Sequence, residues 1–130
     1  MDQLRHPIYK CAVCGNVVEL LTSGAGELVC CSQPMKLLIP NTDENGATEK
    51  HLPIISENPD GTSLVKVGSL PHPMTGEHYI EWIEIINGSY VNRKYLSPGD
   101  APEASFYLKK KSGIYLRAYC NKHGLWESKE

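Results

Sequence analysis

Apolar and polar positions alternate over short distances along the whole chain, and nowhere do apolar residues recur at the three-to-four spacing of an amphipathic helix. Short apolar runs stand between turn-forming residues instead. In the first part of the chain the strand-like runs are Asn16–Leu21, Glu27–Val29 and Met35–Ile39. Later ones are Leu52–Ser56, Ser63–Gly68, His78–Ile86, Ser89–Leu96, Ala104–Lys109 and Ile114–Cys120. Between the later runs stand Pro59-Asp60-Gly61, Asn87-Gly88, Pro98-Gly99-Asp100 and Ser112-Gly113, each a turn signal. Several short strands at regular spacing predict an all-β chain whose second part is an antiparallel sandwich. The polar, turn-rich stretch from Pro40 to Gly46 reads as a linker. The expected organisation is therefore a small module over 1–39, a linker over 40–47 and a second domain over 48–130.

Size changes the picture of the first part. A block of ~40 residues buries too little apolar surface to fold unaided and needs disulfides, a metal or a partner. Charge narrows the function classes. With 13 basic and 15 acidic residues in 130, the net charge of −2 gives no support for nucleic-acid binding or a polybasic membrane anchor. Apolar runs such as Leu37-Leu38-Ile39 are far too short to span a bilayer. The first 20 residues carry Arg5, Lys10 and Glu19 and no continuous apolar core, unlike a secretory signal, so a cytoplasmic protein is expected.

The five cysteines are Cys11, Cys14, Cys30, Cys31 and Cys120. An odd number excludes a fully paired disulfide framework, and the adjacent Cys30-Cys31 is poorly placed to pair with itself. In a reducing compartment, clustered thiols serve metals or redox chemistry. Cys11-Ala12-Val13-Cys14-Gly15 is a C-x-x-C-G knuckle, a spacing that lets two thiolates converge while backbone amides donate to the sulfurs. Cys30-Cys31 completes a set of four, which suits zinc or a single iron; ligand identity does not separate the two. Buried structural thiols are the plainer explanation, but four within so short a stretch argue against it. A zinc ribbon would offer a second C-x-x-C, and adjacent cysteines must strain one side of a tetrahedron.

A second group comprises His51, His72, His78 and His123 together with Cys120. Alternation along Ile114–Cys120 places Ile114, Leu116, Ala118 and Cys120 on one apolar face, so Cys120 points inward. His123 follows three positions later, in a tight turn. His72 and His78 bracket a loop between two strands, and His51 opens the second domain. Each histidine alone reads as an ordinary hydrogen-bonded side chain. Four of them with a lone cysteine, all at strand ends or in loops, read as one metal site.

In combination, C-x-x-C-G with a later C-C, T-E-K-H-x-P, H-P-M-x-x-x-H-Y-I-x-W-I, P-G-x-A-P-E-A and Y-C-N-x-H-G-x-W resemble the desulfoferrodoxins, the two-iron superoxide reductases. The resemblance covers nearly the whole chain. It implies a desulforedoxin-like module whose iron is held by Cys11, Cys14, Cys30 and Cys31, followed by an immunoglobulin-like β-sandwich. There a catalytic iron is implied, with His51, His72, His78 and His123 in one plane and Cys120 as axial thiolate. The glutamate and lysine of the family fall on Glu49 and Lys50. The resemblance further implies superoxide as substrate, a rubredoxin-like electron donor and a homodimer. His6 matches no ligand position and is expected to be an exposed histidine.

Three other readings compete. A four-cysteine zinc ribbon in a binding module leaves Cys120 and the histidines unexplained. A blue-copper electron carrier usually adds an axial methionine downstream, whereas the only methionines are Met1, Met35 and Met74. Superoxide dismutation is not distinguished from reduction by the ligands alone.

Overall fold

The computed structural model describes residues 6–44 and 50–130, and among these it contains no helix, including none long and apolar enough to cross a membrane. The chain forms two compact units, Met1–Ile39 and Pro40–Glu130.

In the first unit, β1 (Ile8–Lys10), β2 (Val17–Glu19), β3 (Val29–Cys30), β4 (Gln33–Pro34) and β5 (Lys36–Leu37) are all short. β1 lies between β2 and β5 in an antiparallel sheet, while β3 and β4 form a separate hairpin. Strands β1 and β4 were not anticipated, because two or three residues are too few to show alternation. The run expected over Asn16–Leu21 shortens to β2, and that over Glu27–Val29 moves on to include Cys30. Ile8 and Cys11 are the buried residues among those described in this unit, so its apolar core is minimal. His6, expected to be exposed, is partly buried, with Nδ1 3.8 Å from Glu19 Oε2.

The second unit is a two-sheet antiparallel sandwich. Its strands are β6 (Pro53–Glu57), β7 (Ser63–Val67), β8 (Ile80–Asn87), β9 (Tyr90–Tyr95), β10 (Glu103–Phe106), β11 (Tyr115–Cys120) and β12 (Gly124–Lys129). One sheet runs β10-β7-β6 and the other β12-β11-β8-β9. Seven strands in sheets of three and four, with β10 returning to β7 and not to β9, make the arrangement immunoglobulin-like. Ile55, Val65, Val67, Ile80, Ile83, Ile85, Leu116 and Ala118 fill the space between the sheets. Each such aliphatic side chain larger than alanine contributes roughly 1.5–3 kcal/mol through burial.

Two features of the sandwich differ from expectation. β12 follows β11 through Asn121, Lys122 and His123, and its buried neighbours Leu125 and Trp126 break the alternation that would have announced a strand. β11 is buried on both faces, since Arg117 and Tyr119 are as enclosed as Leu116 and Ala118. Within the stretch read as a linker, Asn41 bridges to Trp126; its N–H donates to the Leu125 carbonyl (2.8 Å), and its own carbonyl accepts from the Glu127 N–H (2.9 Å).

Candidate metal centres

The first unit gathers Cys11, Cys14, Cys30 and Cys31, with their sulfurs within 4.8 Å of one another. The knuckle is closed by the Gly15 N–H donating to the Cys11 carbonyl (3.1 Å), and Gly15 takes the positive φ of 84° that this turn demands. Backbone N–H groups of Val13 and Cys14 both point at the Cys11 sulfur, each at 3.4 Å. Those amides, that of Cys14 foremost, hold the Cys11 thiol down to about 6, against an opposing contribution from burial. Cys31 is pushed up to about 12, chiefly by hydrogen bonding with Cys14 and Cys11, and Cys30 is raised for the same first cause. Crowded thiols resist shedding their protons together, and a bound cation removes that resistance.

The adjacent cysteines are reconciled by the β3–β4 hairpin. Cys30 ends β3 and pairs with Gln33, so Cys31 and Ser32 form a two-residue loop with φ of 53° and 62°. Two central residues at positive φ are the signature of the tight turn usually written Asn-Gly. For residues with a Cβ the left-handed conformation costs about 1–2 kcal/mol apiece, and it turns Cys31 back toward the sulfur of its neighbour. The Cys14 and Cys30 sulfurs are 3.6 Å apart. A tetrahedron with metal–sulfur bonds of about 2.3 Å has edges of about 3.8 Å, so the donor set fits a four-thiolate ion.

The second unit gathers His51, His72, His78, His123 and Cys120. The four imidazoles form a closed ring, each centroid 4.7–4.9 Å from its two neighbours in the order His51, His72, His78, His123. Adjacent rings meet edge to face, at 65–84°. His51 Nε2 and His123 Nδ1 approach to 3.1 Å. Two nitrogens at right angles about one ion, with bonds of about 2.1 Å, would lie about 3.0 Å apart. His72 Nδ1 donates to the Pro73 carbonyl (2.7 Å), which leaves Nε2 with the lone pair a metal needs. Cys120 is fully buried while His123 is exposed and His78 half-buried, so the sulfur meets the ring from the core side. The sulfur lies 3.8 Å from His123 Nδ1 and accepts the His123 N–H at 3.4 Å.

The scaffold explains the convergence. β11 ends at Cys120, where the register with β8 shifts past Tyr119, and the three-residue turn into β12 swings His123 back over the sulfur. Asn121 in that turn receives the Tyr79 N–H at 2.9 Å and donates to the Glu77 carbonyl at 3.0 Å, tying the His72–His78 loop to the Cys120 turn. Trp126 stacks on His51, with centroids 4.4 Å apart and planes at 11°, while its Nε1–H donates to the His123 carbonyl (3.0 Å). Lys50 is half-buried, and its backbone packs against Gly68. Glu49 lies outside the described residues. Asn121 and Trp126 stand as fixed positions in the Y-C-N-x-H-G-x-W motif, but the sequence assigned them no role, and Glu44, a glutamate in a polar stretch, was missed altogether.

The family profile described as "Desulfoferrodoxin" matches residues 43–129, and that described as "Desulfoferrodoxin, N-terminal domain" matches residues 5–38. A desulfoferrodoxin homolog of Methanothermobacter thermautotrophicus is 53% identical over 120 residues, covering 92% of this chain and 94% of that protein. The desulfoferrodoxin of Nitratidesulfovibrio vulgaris is 48% identical, over 95% of this chain and 96% of its own. Among solved structures, the superoxide reductase from Treponema pallidum superimposes with a TM-score of 0.71 at 28% identity, covering 95% of this chain and 96% of that one.

Proposed function

This chain belongs to the desulfoferrodoxin family, and on that premise we propose that it is a superoxide reductase, converting superoxide to hydrogen peroxide with one electron and two protons. Its two donor groups match the two iron centres of the family. Cys11, Cys14, Cys30 and Cys31 would hold one ion, and His51, His72, His78, His123 and Cys120 the other. The observation that carries the reading is the closed ring of four imidazoles with a buried thiol on its core side. With His51, His72, His78, His123 and Cys120 as its five protein donors, an ion held there would keep the capacity to bind one small anionic substrate.

Iron held by these five residues would supply the one-electron chemistry that superoxide reduction needs. Cys120, as thiolate, would donate electron density to an iron held there and so favour release of peroxide. Lys50 contributes positive charge that attracts an anion and a donor that orients a proton-giving water. Glu49 would offer a carboxylate to the ion, a role resting on the family resemblance. A reducing, cytoplasmic setting suits five cysteines of which none forms a disulfide. A rubredoxin-like electron donor and a homodimer complete the proposal, both resting on the family resemblance.

Cys120→Ser tests it. The variant is expected to lose the sulfur-to-iron charge-transfer absorption of the second site together with peroxide formation, because a serine hydroxyl is a far poorer electron donor than a thiolate. Retention of colour and peroxide yield would overturn the assignment.

A further inference from the structure

His51 is gripped by groups that the donor set does not include. One face of its ring lies against Trp126. Its backbone N–H donates to Glu44 Oε1 at 2.6 Å, and the same oxygen stands 3.8 Å from Nδ1 of the ring, the nitrogen not directed at His123. The other carboxylate oxygen, Oε2, accepts the Leu52 N–H at 3.1 Å. Glu44 is delivered to this place by a brace. Three residues before it, Asn41 is fixed to β12 by its backbone and by its side-chain amide, which donates to the Leu125 carbonyl at 3.1 Å. The brace thus runs from the strand that carries Trp126 to the residue on which Trp126 stacks.

We propose that Glu44 is a positioning residue for His51, acting as the carboxylate behind a metal-ligating imidazole. The inference rests on the reading of the histidine–cysteine group as an iron centre. Two consequences follow from the contacts. Two backbone N–H groups on one carboxylate fix the start of β6 and with it the aim of the His51 ring. A negative charge 3.8 Å behind that ring also favours the higher charge state of an ion in front of it, which lowers the reduction potential of the site.

The test compares the full iron-loaded chain with its Glu44→Gln and Glu44→Ala variants, following release of ferrous iron from the second site to a chelator and the reduction potential of that site. Glu44→Ala is expected to release iron about tenfold faster or more, the usual effect of losing such a partner. Both variants are expected to shift the potential upward, since both lose the charge, and Glu44→Gln is expected to release iron more slowly than Glu44→Ala because its carbonyl still accepts an amide proton. An unchanged potential in Glu44→Gln, or unchanged release from Glu44→Ala, overturns the proposal. Should Glu44→Ala fail to fold, the potential of Glu44→Gln decides alone. A wild-type chain that loads no iron at the second site overturns the underlying reading and this inference with it, a result distinct from a loaded site indifferent to Glu44.

Discussion

At the residue scale, both sites depend on positions where the backbone leaves no choice. Gly68 is one. A Cβ there would sit 2.8 Å from the backbone carbon, the carbonyl oxygen and the Cβ of Lys50, closer than real contacts allow. The residue proposed to attract superoxide is therefore seated on a glycine from the neighbouring loop. Gly68→Ala is expected to displace Lys50, slowing the reaction with superoxide severalfold and weakening its dependence on ionic strength, because steering by a fixed charge is screened by salt. Pulse-radiolysis rates at low and high salt measure this, and wild-type rates at both would mean the seat is immaterial. The pairing of Gly68 with Lys50 joins residues 18 positions apart through packing alone, and nothing in either local sequence announces it. Cys31 is the converse case. Its grouping with three other cysteines was legible from the C-x-x-C-G knuckle and the Cys-Cys pair, but its left-handed backbone was not, because the turn is written Cys-Ser where Asn-Gly is the familiar signal.

At the scale of elements, the four-stranded sheet carries a ladder of alternating charge across one face. Arg93 on β9 faces Glu84 on β8, Glu84 faces Arg117 on β11, and Arg117 faces Glu127 on β12. Glu84 is fully buried and accepts from Arg93 at 2.6 Å and from Arg117 at 2.5 Å. Removing one partner of a buried pair of this kind typically costs about 3–5 kcal/mol. Glu127, at the edge of the ladder, is the strained member. Burial raises its carboxyl above the ordinary 4.5, Arg117 lowers it, and Glu84 raises it further. A carboxyl raised in the folded state binds its proton more readily there than in the unfolded chain. Its ionisation therefore erodes stability as pH rises from 4.5 through the raised value, and the penalty is complete above it. Glu127→Gln is expected to melt at a higher temperature than wild type at neutral pH, with the difference vanishing below 4.5. Thermal unfolding across that range checks the sign; a gap that widens on acidification would contradict it. The strands β8 and β11 were legible from their apolar runs. The charged face was not, since a glutamate between isoleucines looks solvent-facing until its cross-strand partners are known.

At the scale of the whole molecule, the two donor groups belong to separate units, and the proposed function places the reaction with superoxide at the second. Cys14→Ser is accordingly expected to remove the absorption of the four-thiolate centre while most superoxide reduction survives. Loss of activity with the second iron fully loaded would show that the first centre is required for turnover. The sequence by itself determined the class and the grouping: β-structure, and cysteines and histidines that gather into two sets. Donor identity is a local property, and the C-x-x-C-G spacing, the C-x-x-H pair and the alternating runs are all contained within a few residues. Only the tertiary structure decided how the donors meet. His51, His72, His78 and His123 come from four places along the chain, and their closed ring exists because Asn121, Trp126 and the brace from Asn41 to Glu44 hold those places together. Contacts of that kind span up to 84 positions and are set by the register of packed strands, a cooperative outcome that no short stretch of sequence encodes.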